Sequence, residues 1–254
     1  MENRRAWTNS ELLLAFRLYC YTPFGKLHQH NPDIIDLAKR LGRTPSAVAM
    51  KACNFASLDP IQQERKTKGL QNASKDDRKL WEEFKENPEA VAVRVEAAAH
   101  NILSKAPEES DQVLDIPEGP TENTQLVRIR CVQSFFRNAV LTSYEHRCAL
   151  SDIALPALLN ASHIIPWKND VARRADPSNG ILLNALLDRA FDRGLVTFDE
   201  SFRLIVSNQL KKGQAIPYQR ESLVGLEGKQ LRLPYRFSPD PQAITYHREH
   251  IFQE

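Results

Sequence analysis

A short stretch in the second half of the chain carries the side chains best suited to acid–base or metal chemistry. They are His163, Asn179, Asp188 and Asp192. An imidazole exchanges protons near neutral pH, and carboxylates bind divalent cations. Asp188 and Asp192 are four residues apart, so on a helix they share one face. Taken alone, however, a single histidine in an apolar strand is more often a hydrogen-bonded core residue than a catalytic one.

The position of Asp192 near the end of a short predicted helix indicates a positively charged partner. The helix macrodipole disfavours an anion at that end. A metal ion, Arg189 or Arg193 could supply the positive charge. For Asp188, pairing with an arginine on the helix surface is the rival interpretation to metal binding. Arg189 and Arg193 either pair with these acids or bind a phosphate group of the substrate.

The elements that position these residues follow from the local sequence pattern. Residues 158–165, which the proline at 166 ends, and the apolar residues 180–183 predict two short strands. Asn184 is placed to cap a short helix, and Gly194 to end it. Alternating residues predict a hairpin over 195–206. The order strand, loop, strand, helix is a ββα arrangement.

These blocks resemble the HNH endonuclease family, and specifically its subgroup with HIIPW, NGILL and FDRG blocks. The separations of 16 residues from His163 to Asn179 and 9 from Asn179 to Asp188 are typical of the motif. The preceding segment QSFFRNAVLTSYEHRCALSDI and the tail LRLPYRFSPDPQAITYHREHIF also resemble that subgroup. The resemblance spans about 128–253.

The resemblance implies a role for each residue. His163 would be the general base that takes a proton from the attacking water, and Asn179 would hold the loop and orient that imidazole. Asp188 would bind a divalent cation at a position where many members have His or Asn, with Asp192 as a second ligand. Relatives often place Asp or His directly before the base, but this chain has Ser162. Oxygen ligands favour Mg²⁺ or Mn²⁺.

Composition places the chain among ordinary globular proteins. It has 254 residues, of which 42% are hydrophobic and 26% charged. No run approaches the roughly 20 apolar residues of a membrane helix, and Met1 to Trp7 is polar, unlike a secretory signal. We therefore expect a soluble, cytoplasmic protein with no membrane partner. The four cysteines are scattered and form no CxxC pair: Cys20, Cys53, Cys131 and Cys148. A mixed zinc site would use four residues whose spacing fits no common pattern: Cys20, His28, His30 and Cys53.

Charge and composition divide the chain. Residues 1–70 hold 11 Lys/Arg against 6 Asp/Glu, 71–125 hold 6 against 13, and 126–254 hold 17 against 13. Basic blocks on either side of an acidic middle suit a chain that meets a polyanion, although ordinary solvated surfaces explain them too. The acidic, proline-containing segment 104–124 predicts a linker between an N-terminal part, 1–103, and a C-terminal nuclease part, 125–254.

The N-terminal part predicts helices in a helix-turn-helix order. Thr8 or Ser10 begins the first, Pro32 to Leu41 forms the second, and Gly42 ends it before Thr44 caps the third. The segments AWTNSELLLAFRLY and IIDLAKRLGRTPSAVAMKACNF resemble a Myb/SANT-like helix-turn-helix module. That resemblance implies DNA contacts from four residues of the turn and third helix: Arg43, Ser46, Lys51 and Asn54. The alternative is a three-helix bundle that packs on the nuclease part or on a partner.

The sequence as a whole predicts an α+β protein: a helical N-terminal module and a ββα-metal nuclease domain. The expected activity is metal-dependent hydrolysis of double-stranded DNA, and the resemblance implies a setting in restriction or defence. Arg189 and Arg193 are further candidates for DNA contact. A DNA-binding protein with a degenerate nuclease domain, and a nuclease for RNA or modified DNA, are the alternatives, and a homodimer is left open.

Overall fold

The computed structural model describes residues 5–64, 73–103, 122–212 and 216–254. Two compact units divide the chain between Phe135 and Phe136, inside a long helix. Most of the predicted linker, 104–121, lies outside the described residues, while 122–124 already belong to that helix. Within the described residues, no helix has the length and apolar character needed to cross a membrane.

The described part of the first unit is helical. Its helices are α1 (Asn9–Tyr21), α2 (Pro32–Leu41), α3 (Pro45–Ala56), α4 (Pro60–Glu64), α5 (Lys75–Glu86), α6 (Pro88–Leu103) and the beginning of α7 (Glu122–Ser143). The predicted cap of the first helix is confirmed at Thr8, whose hydroxyl accepts from the Glu11 N–H at 3.3 Å. The Glu11 carboxylate accepts in return from the Thr8 N–H at 2.8 Å, which completes a capping box.

The predicted bounds of the second and third helices are also confirmed. Asn31 caps α2, and Gly42 ends it in the left-handed conformation with φ of 60°. Thr44 then caps α3 by accepting from the Ala47 N–H at 3.3 Å. Local capping chemistry therefore sets both ends of α2 and the beginning of α3.

An aromatic cluster forms the centre of the first unit. The Phe16 ring lies 5.2 Å from Phe55 and 4.9 Å from Phe84, both edge-on. Phe135, at the end of the α7 portion of this unit, stacks on Phe16 at 6.4 Å. Edge-on and offset contacts are the favourable geometries for aromatic pairs, so this cluster joins α1, α3, α5 and α7.

A buried carboxylate beside this cluster engages two of the residues predicted to contact DNA. Asp77 is 0% exposed, and it accepts from Lys51 Nζ at 2.9 and 3.1 Å and from Asn54 Nδ2 at 3.1 Å. Lys51 and Asn54 are themselves only 8% and 7% exposed. Both side chains therefore hold α3 against α5, because a buried carboxylate needs a charged partner and hydrogen bonds.

Arg43 is also committed inside the first unit. Its guanidinium donates to both oxygens of Glu11, at 3.1 and 2.8 Å, and to the Ala6 carbonyl at 2.7 Å. The same group lies 4.0 Å above the Trp7 ring. Of the four predicted DNA-contacting residues in this unit, the structure leaves Ser46 with an exposed side chain, and it gives the other three intramolecular roles.

The second unit is a small α+β arrangement. After the remainder of α7 come β1 (Leu159–His163), β2 (Gly180–Asn184), α8 (Ala185–Asp192), β3 (Val196–Phe198), β4 (Leu204–Val206), α9 (Asn208–Lys211), α10 (Pro217–Ser222) and α11 (Pro241–His250). β1 and β2 pair antiparallel, from Leu159 opposite Asn184 to His163 opposite Gly180. β3 and β4 form the predicted hairpin. Asn184 caps α8 as predicted, accepting from the N–H groups of Leu186 and Leu187.

A buried histidine fixes the end of α8 in this unit. His247 of α11 stacks on Phe191 with ring centroids 3.8 Å apart. Its Nε2 donates to the Phe191 carbonyl at 3.1 Å, and because a carbonyl only accepts, Nδ1 carries no proton and accepts from the Thr197 hydroxyl at 2.9 Å. Both ring nitrogens are thus satisfied in the neutral form. Burial lowers the pKa of His247 to about 4.

Candidate active site

The two faces of β1 carry different parts of the candidate site. Side chains alternate along a strand, so Asn160 and Ser162 share one face and His163 lies on the other. Asn160 and Ser162 face α8, where both contact Asp188. The His163 ring stacks instead on Phe136 of α7, with centroids 3.7 Å apart and planes 12° apart.

Asp188 is held in place by β1. Its Oδ2 accepts from Asn160 Nδ2 at 2.7 Å, and its Oδ1 accepts a short hydrogen bond from the Ser162 hydroxyl. The carboxylate sits in the first turn of α8, where the macrodipole favours an anion. Asn160 was missed by the sequence analysis, although the period of two along β1 already places it on the same face as Ser162.

Asp192 lies one turn further along α8 and is exposed. Partial desolvation, and then the charge of Asp188, raise the pKa of Asp192, while the charges of Arg189 and Arg193 oppose this rise. Within the described part of the chain, neither acid forms an ion pair with Arg189 or Arg193, both of which are exposed. The Asp188 carboxylate is instead bonded to Asn160 and Ser162, one hydrogen bond to each oxygen, which leaves further lone pairs for another ligand.

The chemistry of these side chains fits a hard divalent cation. Asp188 and Asp192 offer carboxylate oxygens, and the Ser162 hydroxyl keeps lone pairs that are free to ligate. Among the described residues, no group of three or more His, Cys, Asp or Glu side chains is placed to hold a metal ion. A cation here would take its other ligands from water or phosphate oxygens, as Mg²⁺ and Mn²⁺ commonly do.

The imidazole of His163 is held by a main-chain carbonyl. Its Nε2 lies 3.0 Å from the Arg174 oxygen, so Nε2 carries the proton and Nδ1 keeps its lone pair. The Trp167 ring meets the imidazole edge-on at 5.6 Å. Burial lowers the pKa of His163; the hydrogen bond to Arg174 opposes this, and the positive charge of Arg174 adds to it. Among the described residues Nδ1 has no hydrogen-bond partner, and a neutral imidazole with a free nitrogen can act as a base.

Asn179 fixes the segment that follows β1. Its side chain is 1% exposed, with Oδ1 accepting from the Ile165 N–H at 2.8 Å and Nδ2 donating to the Ile165 carbonyl at 3.1 Å. Its own carbonyl accepts from the Ile164 N–H at 2.9 Å. Asn179 therefore holds the main chain on the C-terminal side of His163, and within the described residues it does not bond the imidazole itself.

Comparison with known families bears on this same part of the chain. Residues 148–199 match the model of a family described as HNH endonuclease. The match covers about a fifth of the chain, and it contains His163, Asn179, Asp188 and Asp192. No curated protein matches the chain.

The HNH match supports the nuclease part of the sequence analysis. It lies inside the wider resemblance over 128–253, and it supports an endonuclease with a nucleic acid substrate. The matched residues supply β1, β2, α8 and β3, so they include every element that positions the candidate site except α7.

Proposed function

We propose that this chain is a metal-dependent DNA endonuclease, in which β1, β2 and α8 form the ββα-metal unit of the HNH segment. The observation that carries the proposal is the arrangement around β1. Asp188 is held against one face by Asn160 and Ser162, and His163 projects from the other face at the strand end with its tautomer fixed. A base and an anchored carboxylate thus flank one strand end.

The histidine is the proton acceptor in this proposal. Nδ1 of His163 takes a proton from the attacking water. The hydrogen bond from Nε2 to the Arg174 carbonyl stabilises the imidazolium that results. Asn179 keeps the base in place by bonding the main chain two residues further on. Stacking on Phe136 fixes the plane of the ring.

The acids on α8 would hold the cation. Asp188 and Asp192 supply its charged ligands, with Ser162 as a neutral third. When bound, a divalent cation stabilises negative charge on the phosphate and leaving oxygens. Because only two carboxylates contribute, the site should bind metal more tightly once phosphate oxygens are present.

Nicking of supercoiled plasmid DNA tests the proposal. The wild-type chain should nick with Mg²⁺ or Mn²⁺ and not with a chelator, and His163→Ala should lose cleavage while still binding DNA. His30→Ala, which removes an exposed histidine of the first unit, is the matched control and should cleave normally. Near-normal turnover by His163→Ala would contradict the assigned base.

A DNA-binding protein with an inactive nuclease segment is the second candidate. Ser162 stands where relatives often have a charged ligand, and the described residues include only two carboxylates at the site. DNA binding without nicking under any divalent metal would favour that function. Parallel assays with RNA and with methylated DNA separate the remaining substrate classes, and a setting in restriction or defence stays a prediction.

A further inference from the structure

The loop that joins β1 to β2 brings a tryptophan and an arginine beside the proposed base. Trp167 belongs to the HIIPW block but has no role in the mechanism above. We propose that Arg174 binds the phosphate group that is cut, and that Trp167 positions the Arg174 guanidinium. This inference rests on the proposed function and adds a substrate-binding residue to it.

Both ends of Arg174 are fixed. Its carbonyl accepts from Nε2 of His163 at 3.0 Å, so its main chain is tied to the base. Its Nε donates to the Trp167 carbonyl at 2.9 Å, and its Cζ lies 4.9 Å above the Trp167 ring. A cation over an indole face is a favourable arrangement, and it leaves the other N–H groups of the guanidinium available as donors.

The charge of Arg174 is not neutralised by the protein. Among the described residues no carboxylate lies within ion-pair distance of it, and its two terminal nitrogens have no hydrogen-bond partner. Its neighbour Arg173 is different, because it pairs with Asp240 at 2.5 Å and with Asp170 at 3.8 Å. A part-buried cation without a counter-charge favours an anionic ligand.

The free donors of Arg174 match a phosphate. With Nε used by Trp167, the two terminal nitrogens leave a planar fork that suits two phosphate oxygens. A general base must lie close to the water that attacks phosphorus, so the phosphate must come near His163. A fixed cation in the same loop would stabilise the charge that develops on the phosphate during attack.

Substitution of Arg174 in the full-length chain separates its side chain from its main chain. Arg174→Gln removes the charge but keeps the carbonyl that holds His163, and Arg174→Lys keeps the charge but not the fork. Arg220→Gln removes an exposed arginine of α10 and is the matched control. Two quantities are measured with a double-stranded oligonucleotide: the single-turnover cleavage rate with saturating protein, and the dissociation constant at several salt concentrations.

We expect Arg174→Gln to slow cleavage on the order of 10²-fold, as loss of a donor to the transition state does. Its binding should weaken much less, and the slope of log affinity against log salt should fall by about 1. Arg174→Lys should retain part of the cleavage. Arg220→Gln should match the wild type in both measurements.

Cleavage and salt slope in Arg174→Gln equal to those of Arg220→Gln would overturn the inference. Should the wild type bind but cut nothing, the proposed function fails, and an unchanged salt slope in Arg174→Gln then overturns the Arg174 assignment separately. Thermal unfolding identifies a variant that does not fold. In that case Arg174→Lys decides, since a cleavage rate equal to the wild type would show that the fork is not used.

Discussion

The His163 imidazole combines two properties that a base needs at neutral pH. One nitrogen is committed to a carbonyl, and the surroundings favour the neutral ring. We expect a histidine with a purely structural role in the core to have both nitrogens hydrogen-bonded, as His247 does. At the scale of single residues, the contrast between these two histidines separates the chemical role from the structural one.

The pH dependence of cleavage should reflect the lowered pKa of His163. The base works only when it is neutral, so cleavage is lost as the pH falls through the pKa that His163 has in the folded protein. Because that pKa lies below the ordinary value of about 6.5, cleavage should persist below pH 6.5. The single-turnover rate between pH 4 and 8 measures this. An acid limb centred above pH 6.5 would contradict the environment described for the ring.

The metal ligands predict a graded series of variants. Asp188→Ala should lose metal-dependent cleavage, whereas Asp188→Asn should retain part because it still offers an oxygen. Ser162→Ala should weaken Mn²⁺ binding in the presence of DNA by roughly 10-fold, because it removes a neutral ligand and the hydrogen bond that holds Asp188. Titration of Mn²⁺ into each variant with bound DNA gives the affinities. Glu221→Gln, an exposed acid of α10, is the control, and equal affinity in wild type and Asp188→Ala would remove Asp188 from the ligand set.

The elements were predictable where their ends depend on nearby residues. Gly42, Thr44 and Asn184 set helix ends through bonds to residues close in sequence, so the pattern identified them, and it narrowed the first cap to Thr8 or Ser10. The contacts of Asp77 were not predictable, because they join α3 to α5 over 23 to 26 residues. For the same reason, cations on a predicted recognition helix could not be distinguished from cations that neutralise a buried acid.

The packing of β2 against α7 makes Gly180 a requirement for the base. A Cβ at this position would lie 2.6 Å from Val140 Cγ2 and 2.8 Å from Phe136 Cζ. Gly180→Ala should therefore displace the ring on which His163 stacks, at a cost of about 1–3 kcal/mol in stability. We expect lower cleavage and a lower melting temperature together. Gly25→Ala, which meets nothing within 4 Å, is the control, and an unchanged cleavage rate in Gly180→Ala would mean that the stack is dispensable.

The link between α11 and α8 should make the second unit sensitive to acid. His247 has a pKa of about 4 in the folded chain against an ordinary value of about 6.5, so the unfolded state binds the proton more readily. Its contribution to stability is complete above pH 6.5 and is lost as the pH falls towards 4, amounting to about 3 kcal/mol. Urea unfolding at several pH values should show this loss in the wild type and a smaller one in His247→Gln. The same pH slope in both would contradict a neutral, fully bonded His247.

At the scale of the whole molecule, the site and the basic N-terminal block belong to different compact units. The contacts described for His163, Asn179 and Asp188 all lie within residues 136–254. The net charge of residues 1–70, with 11 Lys/Arg against 6 Asp/Glu, cannot be assigned to a DNA-binding face through Lys51 or Arg43, since both are paired with acids. The cleavage chemistry of the second unit and any DNA affinity of the first unit can therefore be tested separately.

A fragment that begins with α7, residues 122–254, should separate them. It keeps every contact described for the base and the acids, so some metal-dependent nicking should survive. If the first unit binds DNA through its remaining exposed cations, such as Lys39, the fragment should bind more weakly and with a smaller salt slope than the full chain. Lys51→Ala in the full chain should instead destabilise the first unit by about 3–5 kcal/mol, because it leaves Asp77 buried without its charged partner.

Binding of an oligonucleotide at several salt concentrations compares the fragment with the full chain. The melting temperature of Lys51→Ala shows whether a loss of binding in that variant is a loss of folding. Equal affinity and slope in the fragment and the full chain would assign the first unit to packing or to recognition of a partner, and absence of nicking by a folded fragment would mean that the chemistry needs residues before 122.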